Sequence, residues 1–168
     1  MNSSRKNAAV SLATVLVGGL LAAPAAAEER KCRGSLGAKT VDNLRVPSGR
    51  TCELNGTRIK GTLKVERGAV LRAKRIRVVG NVQAENHRRV WIYGRSRVNG
   101  SVQIVQGRRF TLTRTTVGSD VQVFENRGRI RINRNTIDGN LQCKENRRTP
   151  TGGNNRVGGN KEDQCRRL

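Results

Sequence analysis

The sequence predicts an all-β fold, a right-handed parallel β-helix, and three observations predict it. A short motif returns every 19 or 20 residues, apolar side chains alternate within each repeat, and no 3.6-residue periodicity appears after the first 27 residues. The motif reads Val79-Gly80-Asn81-Val82-Gln83, Asn99-Gly100-Ser101-Val102-Gln103, Gly118-Ser119-Asp120-Val121-Gln122 and Asp138-Gly139-Asn140-Leu141-Gln142. A repeat of this length that alternates in twos is a coil of short strands, and no such coil can bury its apolar face alone.

The columns define the strands. In the first strand of each coil, Leu44, Leu63, Val82, Val102, Val121 and Leu141 form one inward column, and Val46, Val65, Ala84, Ile104, Val123 and Cys143 form the next. In the second strand, Leu71, Val90, Phe110 and Ile130 are joined by Leu54, Ala73, Ile92, Leu112 and Ile132. Ile59, Val78, Val98, Val117, Ile137 and Val157 mark a third strand, and Gly-Asn, Gly-Ser or Ser-Asp turns the corner into the next coil. The right hand follows from the general handedness of parallel crossovers. A left-handed solenoid is usually built on a strict hexapeptide, which a period of 19 or 20 does not fit.

Residues 1 to 27 have the form of a secretory signal peptide. Arg5 and Lys6 precede an apolar run from Ala8 to Ala23, and Ala25-Ala26-Ala27 offers a cleavage site before Glu28. The run is too short for a stable membrane span. Removal leaves 141 residues, 28 to 168, read as one domain: capping coils over 28 to 60, regular coils over 61 to 146, and a loop and cap over 147 to 168. Because the leader carries two cations and no acid, the net charge falls only from +22 to +20. Such a charge draws a protein toward polyanions, although an Arg-rich solvated surface reflecting base composition is the plainer reading. The expected location is extracellular or on the cell wall.

All four cysteines follow the leader, so two disulfides are expected. Cys32 and Cys52 are 20 residues apart and fall side by side on neighbouring coils, whose spacing of about 4.8 Å suits a disulfide. Cys143 lies in a core column and Cys165, 22 residues later, can fold back over it. The pairs Cys32–Cys52 and Cys143–Cys165 would staple the two ends, where open edges invite polymerisation. Between them, Arg147 to Gly159 is rich in Gly and Asn and is expected to replace the second strand of the last coil with a loop.

The run Gly139-Asn140-Leu141-Gln142-Cys143-Lys144-Glu145-Asn146, followed by Gly152-Gly153-Asn154-Asn155 and Gly159-Asn160-Lys161-Glu162-Asp163-Gln164-Cys165, resembles the ending of uncharacterised small secreted β-helix proteins of high-GC Gram-positive bacteria. The resemblance is most specific over residues 139 to 168 and carries no catalytic or binding residues with it. At the level of fold alone, the coils resemble pectate lyases and bactofilin filaments.

Few residues offer chemistry. His87 is the one histidine and stands beside Arg88 and Arg89; no zinc, phosphate-loop or nucleophile motif is present, and neither a metal nor a cofactor is expected. Glu125 and Glu145, 20 apart, should stack about 5 Å from one another, a separation suited to a retaining glycosidase. Arg127, Arg129, Arg147 and Arg148 lie close by in sequence, so ion pairing explains those glutamates more simply. A pectate-type lyase would need a calcium cluster of several acids and a longer groove-bearing helix, which this chain does not show.

The cations are better organised. Arg67, Arg88, Arg108, Arg127 and Arg147 recur once per coil before the second strand, thickened by Arg89, Arg109, Arg129 and Arg148, while Arg75, Arg77, Arg95, Arg97, Arg114 and Arg134 form a looser second row. A ridge of like charges holds counterions that a polyanion would release; the alternative is a solvated edge that discourages aggregation. Alternation with Val90 and Ile92 turns Trp91 and Tyr93 outward among Arg72, Lys74, Thr111, Thr113 and Arg131, a patch that could stack a sugar or base, or a local Arg72–Trp91 cation–π pair. Gln83, Gln103, Gln122 and Gln142 form an outward row expected to hydrogen-bond as a ladder.

The leading expectation is a non-enzymatic module that holds an anionic wall polymer, acidic polysaccharide or nucleic acid. A structural protein that self-associates through its coil ends is the first alternative, and a small carbohydrate-active enzyme using Glu125 and Glu145 the second.

Overall fold

The computed structural model describes residues 28 to 168, so the signal-peptide expectation for residues 1 to 27 lies outside the described residues. The chain winds as a parallel β-helix of three sheets with eight, seven and seven strands, every strand pairing in parallel with its counterpart one coil away. Coil four illustrates the unit, with strands Val82–Glu85, Arg89–Tyr93 and Ser96–Val98 in the first, second and third sheets. Coil five repeats it with Val102–Val105, Arg109–Thr113 and Thr115–Val117, and coil six with Val121–Phe124, Ile130–Asn133 and Thr136–Ile137.

The predicted columns are the core. Val82 pairs with Val102 and Leu63, Val102 with Val121, and Val121 with Leu141, so identical faces stack along the axis. All of the first-strand and second-strand column residues are buried, while Val157 at the end of the third column is only partly so. Their alternate neighbours face solvent, and there the Gln row forms the expected ladder. Gln83 donates to Gln103, Gln103 to Gln122, Gln122 to Gln142 and Gln142 to Glu162, each at 2.8–3.1 Å.

Three corners per coil must satisfy backbone groups where the strands stop. At the corner between third and first sheets, the N–H groups of Thr62, Ser101, Asn140 and Asn160 donate to the side-chain oxygens of Asn43, Asn81, Asp120 and Asn140. A Cβ on Gly100 would collide with that oxygen of Asn81, which is why glycine recurs there. The other two corners are stitched from inside. Asn126 accepts from Gly107 N–H and donates to the carbonyls of Ile104 and Phe124 and to Asn146, which in turn donates to Val123 and Gln164. Asn135 and Asn155 do the same on the opposite corner, with Asn135 donating to Leu112 and accepting from Thr115 N–H.

Both disulfides form as expected. Cys32 and Cys52 join the first two coils with Cα atoms 5.7 Å apart, and Cys143 and Cys165 lie 5.2 Å apart at the other end. The turn carrying Cys165 tucks Leu168 against the core. The expected loop in the last coil is corrected: Thr151–Gly153 pairs with Ile130–Asn133, and Arg156–Val157 extends the third sheet. Glycine makes this possible. Gly152 and Gly153 take φ of +135° and +151°, and a Cβ on Gly152 would run into the Ile132 carbonyl.

The corner asparagines yield a first prediction. Asn126→Ala leaves the buried Gly107 N–H and the Ile104 carbonyl without these partners and should cost about 3 kcal/mol, read as a fall in the urea midpoint. An unchanged midpoint would show that the ladder contributes nothing.

Candidate anion-binding face

The outward face of the second sheet over coils four to six holds a cleft of about 740 Å³, and its shape follows from side-chain size. Trp91 pairs across the sheet with Thr111, and Thr111 with Arg131. Two bulky aromatics on coil four therefore face two threonines, Thr111 and Thr113, on coil five, and Arg131 rises again on coil six. The threonines are the floor. Arg89 pairs with Arg109, and Phe110 N–H bonds the Arg129 carbonyl, so Arg89, Arg109 and Arg129 stack along one edge. Lys74, Gly94 and Arg114 close the other edge.

Six cations and no acid line this cleft. Among the described residues, no side-chain hydrogen bond or ion pair engages the guanidinium groups of Arg89, Arg109, Arg114, Arg129 or Arg131. The ion pairs lie mostly at the N-terminal end, where Glu29 and Glu66 hold Arg45 at 2.8 and 3.0 Å, Asp42 holds Lys60, and Glu53 holds Arg72 at 2.8 Å. The Arg45 hydrogen bond keeps Glu66 below its ordinary carboxylate range.

The expected Arg72–Trp91 pair is corrected, because Glu53, one coil before Arg72, takes its guanidinium. Trp91 stacks on Tyr93 instead, with centroids 4.6 Å apart and planes at 29°. Trp91 remains 40% exposed.

The remaining arginines divide by register. Backbone bonds from Arg108 to His87, Arg127 to Gly107 and Arg147 to Asn126 place Arg88, Arg108, Arg127 and Arg147 in one exposed column on the adjoining corner. Arg67 does not join it: Gly68 N–H bonds the Asn86 carbonyl, which aligns Gly68 with His87 and sets Arg67 two residues ahead of the Arg88 column, in a second cleft shared with Lys64, Glu66 and Glu85. Arg148 follows Arg147 into the longer last corner, away from the aromatic pair.

Glu125 and Glu145 stack on that same outer corner, each with φ of +55°, and neither lines a described cleft. The expected ion pairs to nearby arginines do not form. Glu125 accepts from Gln106 at 2.9 Å and Glu145 lies 3.7 Å from Lys144.

His87 lies in the turn between Val82–Glu85 and Arg89–Tyr93, beside Arg88 and Arg89, and is fully buried there. Its ring fills the space over Gly107, where any Cβ would strike it. Nε2 lies 3.2 Å from the Arg109 carbonyl, an acceptor, so the neutral ring carries its proton there, while Nδ1 has no partner among the described residues. Burial pushes its pKa down to about 4. Among the described residues, no cluster of His, Cys, Asp and Glu is placed to hold a metal ion.

Comparison with protein families, with curated proteins and with solved structures finds no match to this chain. The resemblance of residues 139 to 168 therefore brings no established activity, and function has to be argued from the cleft.

His87 generates a second prediction. Its folded pKa lies below the unfolded value of 6.5, so the unfolded chain binds the extra proton first as pH falls. Its contribution is complete above pH 6.5 and is lost progressively down to about pH 4, on the order of 3 kcal/mol in all. Denaturant midpoints measured across that window should slope for the natural protein and flatten in His87→Gln; equal slopes would contradict the assignment.

Proposed function

We propose that the protein is an exported, non-enzymatic module that holds a linear anionic polymer, a wall polymer, acidic polysaccharide or nucleic acid, on the outer face of its second sheet. The observation that carries this reading is the cleft of coils four to six, in which six cations and an aromatic pair converge without one acid. Arginine suits the task because its planar guanidinium pairs with carboxylate and phosphate in two-point contacts.

Two further features support it. The acids that neutralise the N-terminal coils stop short of the cleft, leaving its arginines free of counter-charges on the described surface. The disulfides suit an oxidising environment, and no described helix is long and apolar enough to cross a membrane.

The structure separates two arginine sets that the sequence merges, and that separation gives the test. Replacing Arg89, Arg109 and Arg129 together with Gln should weaken retention on heparin, purified cell wall and DNA by about tenfold or more and lower the salt slope by about 2 to 3. The same change at Arg88, Arg108 and Arg127, on the adjoining corner, should have a smaller effect. Equal losses from both sets would replace the cleft with a diffuse charged surface, and no loss from either would end the polyanion reading.

A further inference from the structure

We infer that the polymer held in this cleft is a single-stranded nucleic acid, with one base stacked on Trp91 and the neighbouring phosphates on Arg89, Arg109 and Arg129. This rests on the polyanion reading and narrows it. The first argument is order along the axis. Trp91, Thr111 and Arg131 stand on successive strands, so an aromatic ring, a hydroxyl and a guanidinium follow one another within two strand spacings, about 10 Å, in one outward column.

The second argument is the aromatic pair. Tyr93 covers one face of the Trp91 ring, and strand order puts Arg89 on the side of the other. With 40% of Trp91 exposed, the stack leaves indole surface open to solvent beside a guanidinium. A third planar ring extends such a stack, and every base has one to offer, as long as it is not already stacked within a duplex. The third argument is the relative placement of charge and ring. The arginine column runs along the axis from the edge of the strand that carries the stack, so a backbone following the column keeps its bases directed across the sheet toward Trp91. Thr111 and Thr113 add hydroxyls that donate or accept without choosing among bases. Binding should therefore show little sequence preference.

Trp91 is the single tryptophan of the chain and reports its own contact. The oxidised protein is titrated with a mixed-sequence DNA strand of about 10 nucleotides, with an abasic strand of the same length, with the corresponding duplex and with heparin. The expected result is saturable quenching of Trp91 fluorescence by the single strand alone, with the abasic strand bound about tenfold more weakly. Trp91→Ala, at an exposed site, should equalise the two strands; Trp91→Phe should restore the difference. Equal binding of normal and abasic strands without quenching would overturn the nucleic-acid inference while leaving the polyanion reading in place. Tighter binding of heparin, with quenching, would overturn it in favour of an acidic polysaccharide. Retention of none of the four would overturn both.

Discussion

Coil-to-coil registration is the constraint on which everything else in this molecule depends. Each strand owes its hydrogen bonds to strands one coil away, and each apolar side chain is covered above and below by its own counterpart, as Val82 is by Leu63 and Val102. The difficult places are the corners, where ladders break and carbonyls turn inward. Asparagine resolves them because one short side chain both donates and accepts, so Asn126 and Asn135 bridge three coils each. His87 occupies the equivalent corner space where no asparagine stands, at the cost of a ring nitrogen left unpaired.

The charge of the chain is distributed with the same periodicity. A stack of coils brings every outward residue next to its repeat, so an arginine that recurs is an arginine that repels. In the first three coils acids interrupt the rows and Arg45, Lys60 and Arg72 are paired. Over coils four to six no acid intervenes in the cleft, and the repulsion stored there makes an incoming anion favourable. The size step from Trp91 to Thr111 then gives the second sheet its concavity on this face.

Much of this was legible in the residues. The inward columns announced themselves because burial on a strand alternates in twos and the coil repeats it, and the disulfides followed from cysteines one coil apart. The corners were less readable. Asn126 and Asn146, or Asn135 and Asn155, stand 20 apart, but asparagine is also a common turn residue, and composition does not say whether its side chain turns in or out. His87 beside two arginines reads as a turn residue without saying which way its ring faces; the signal for burial was Gly107, one coil later, which leaves room for the ring. Arg72 had two acceptors within one coil, and the carboxylate of Glu53 prevailed over the indole. In the last coil, Gly152 and Gly153 suggested a loop, whereas their freedom of φ is what lets a strand continue there.

The ladder of glutamines carries a consequence of a different kind. Each amide donates toward the C-terminus, so the row is polar end to end, and it closes on the carboxylate of Glu162, which accepts and has nothing to donate. That makes the last coil chemically unlike the ones before it. The repeat can gain or lose a whole coil in its interior without disturbing the direction of this chain of donors, but it cannot be extended past Glu162 on the same terms. The direction of the row is thus fixed in side-chain chemistry, independent of how much apolar surface the stack buries.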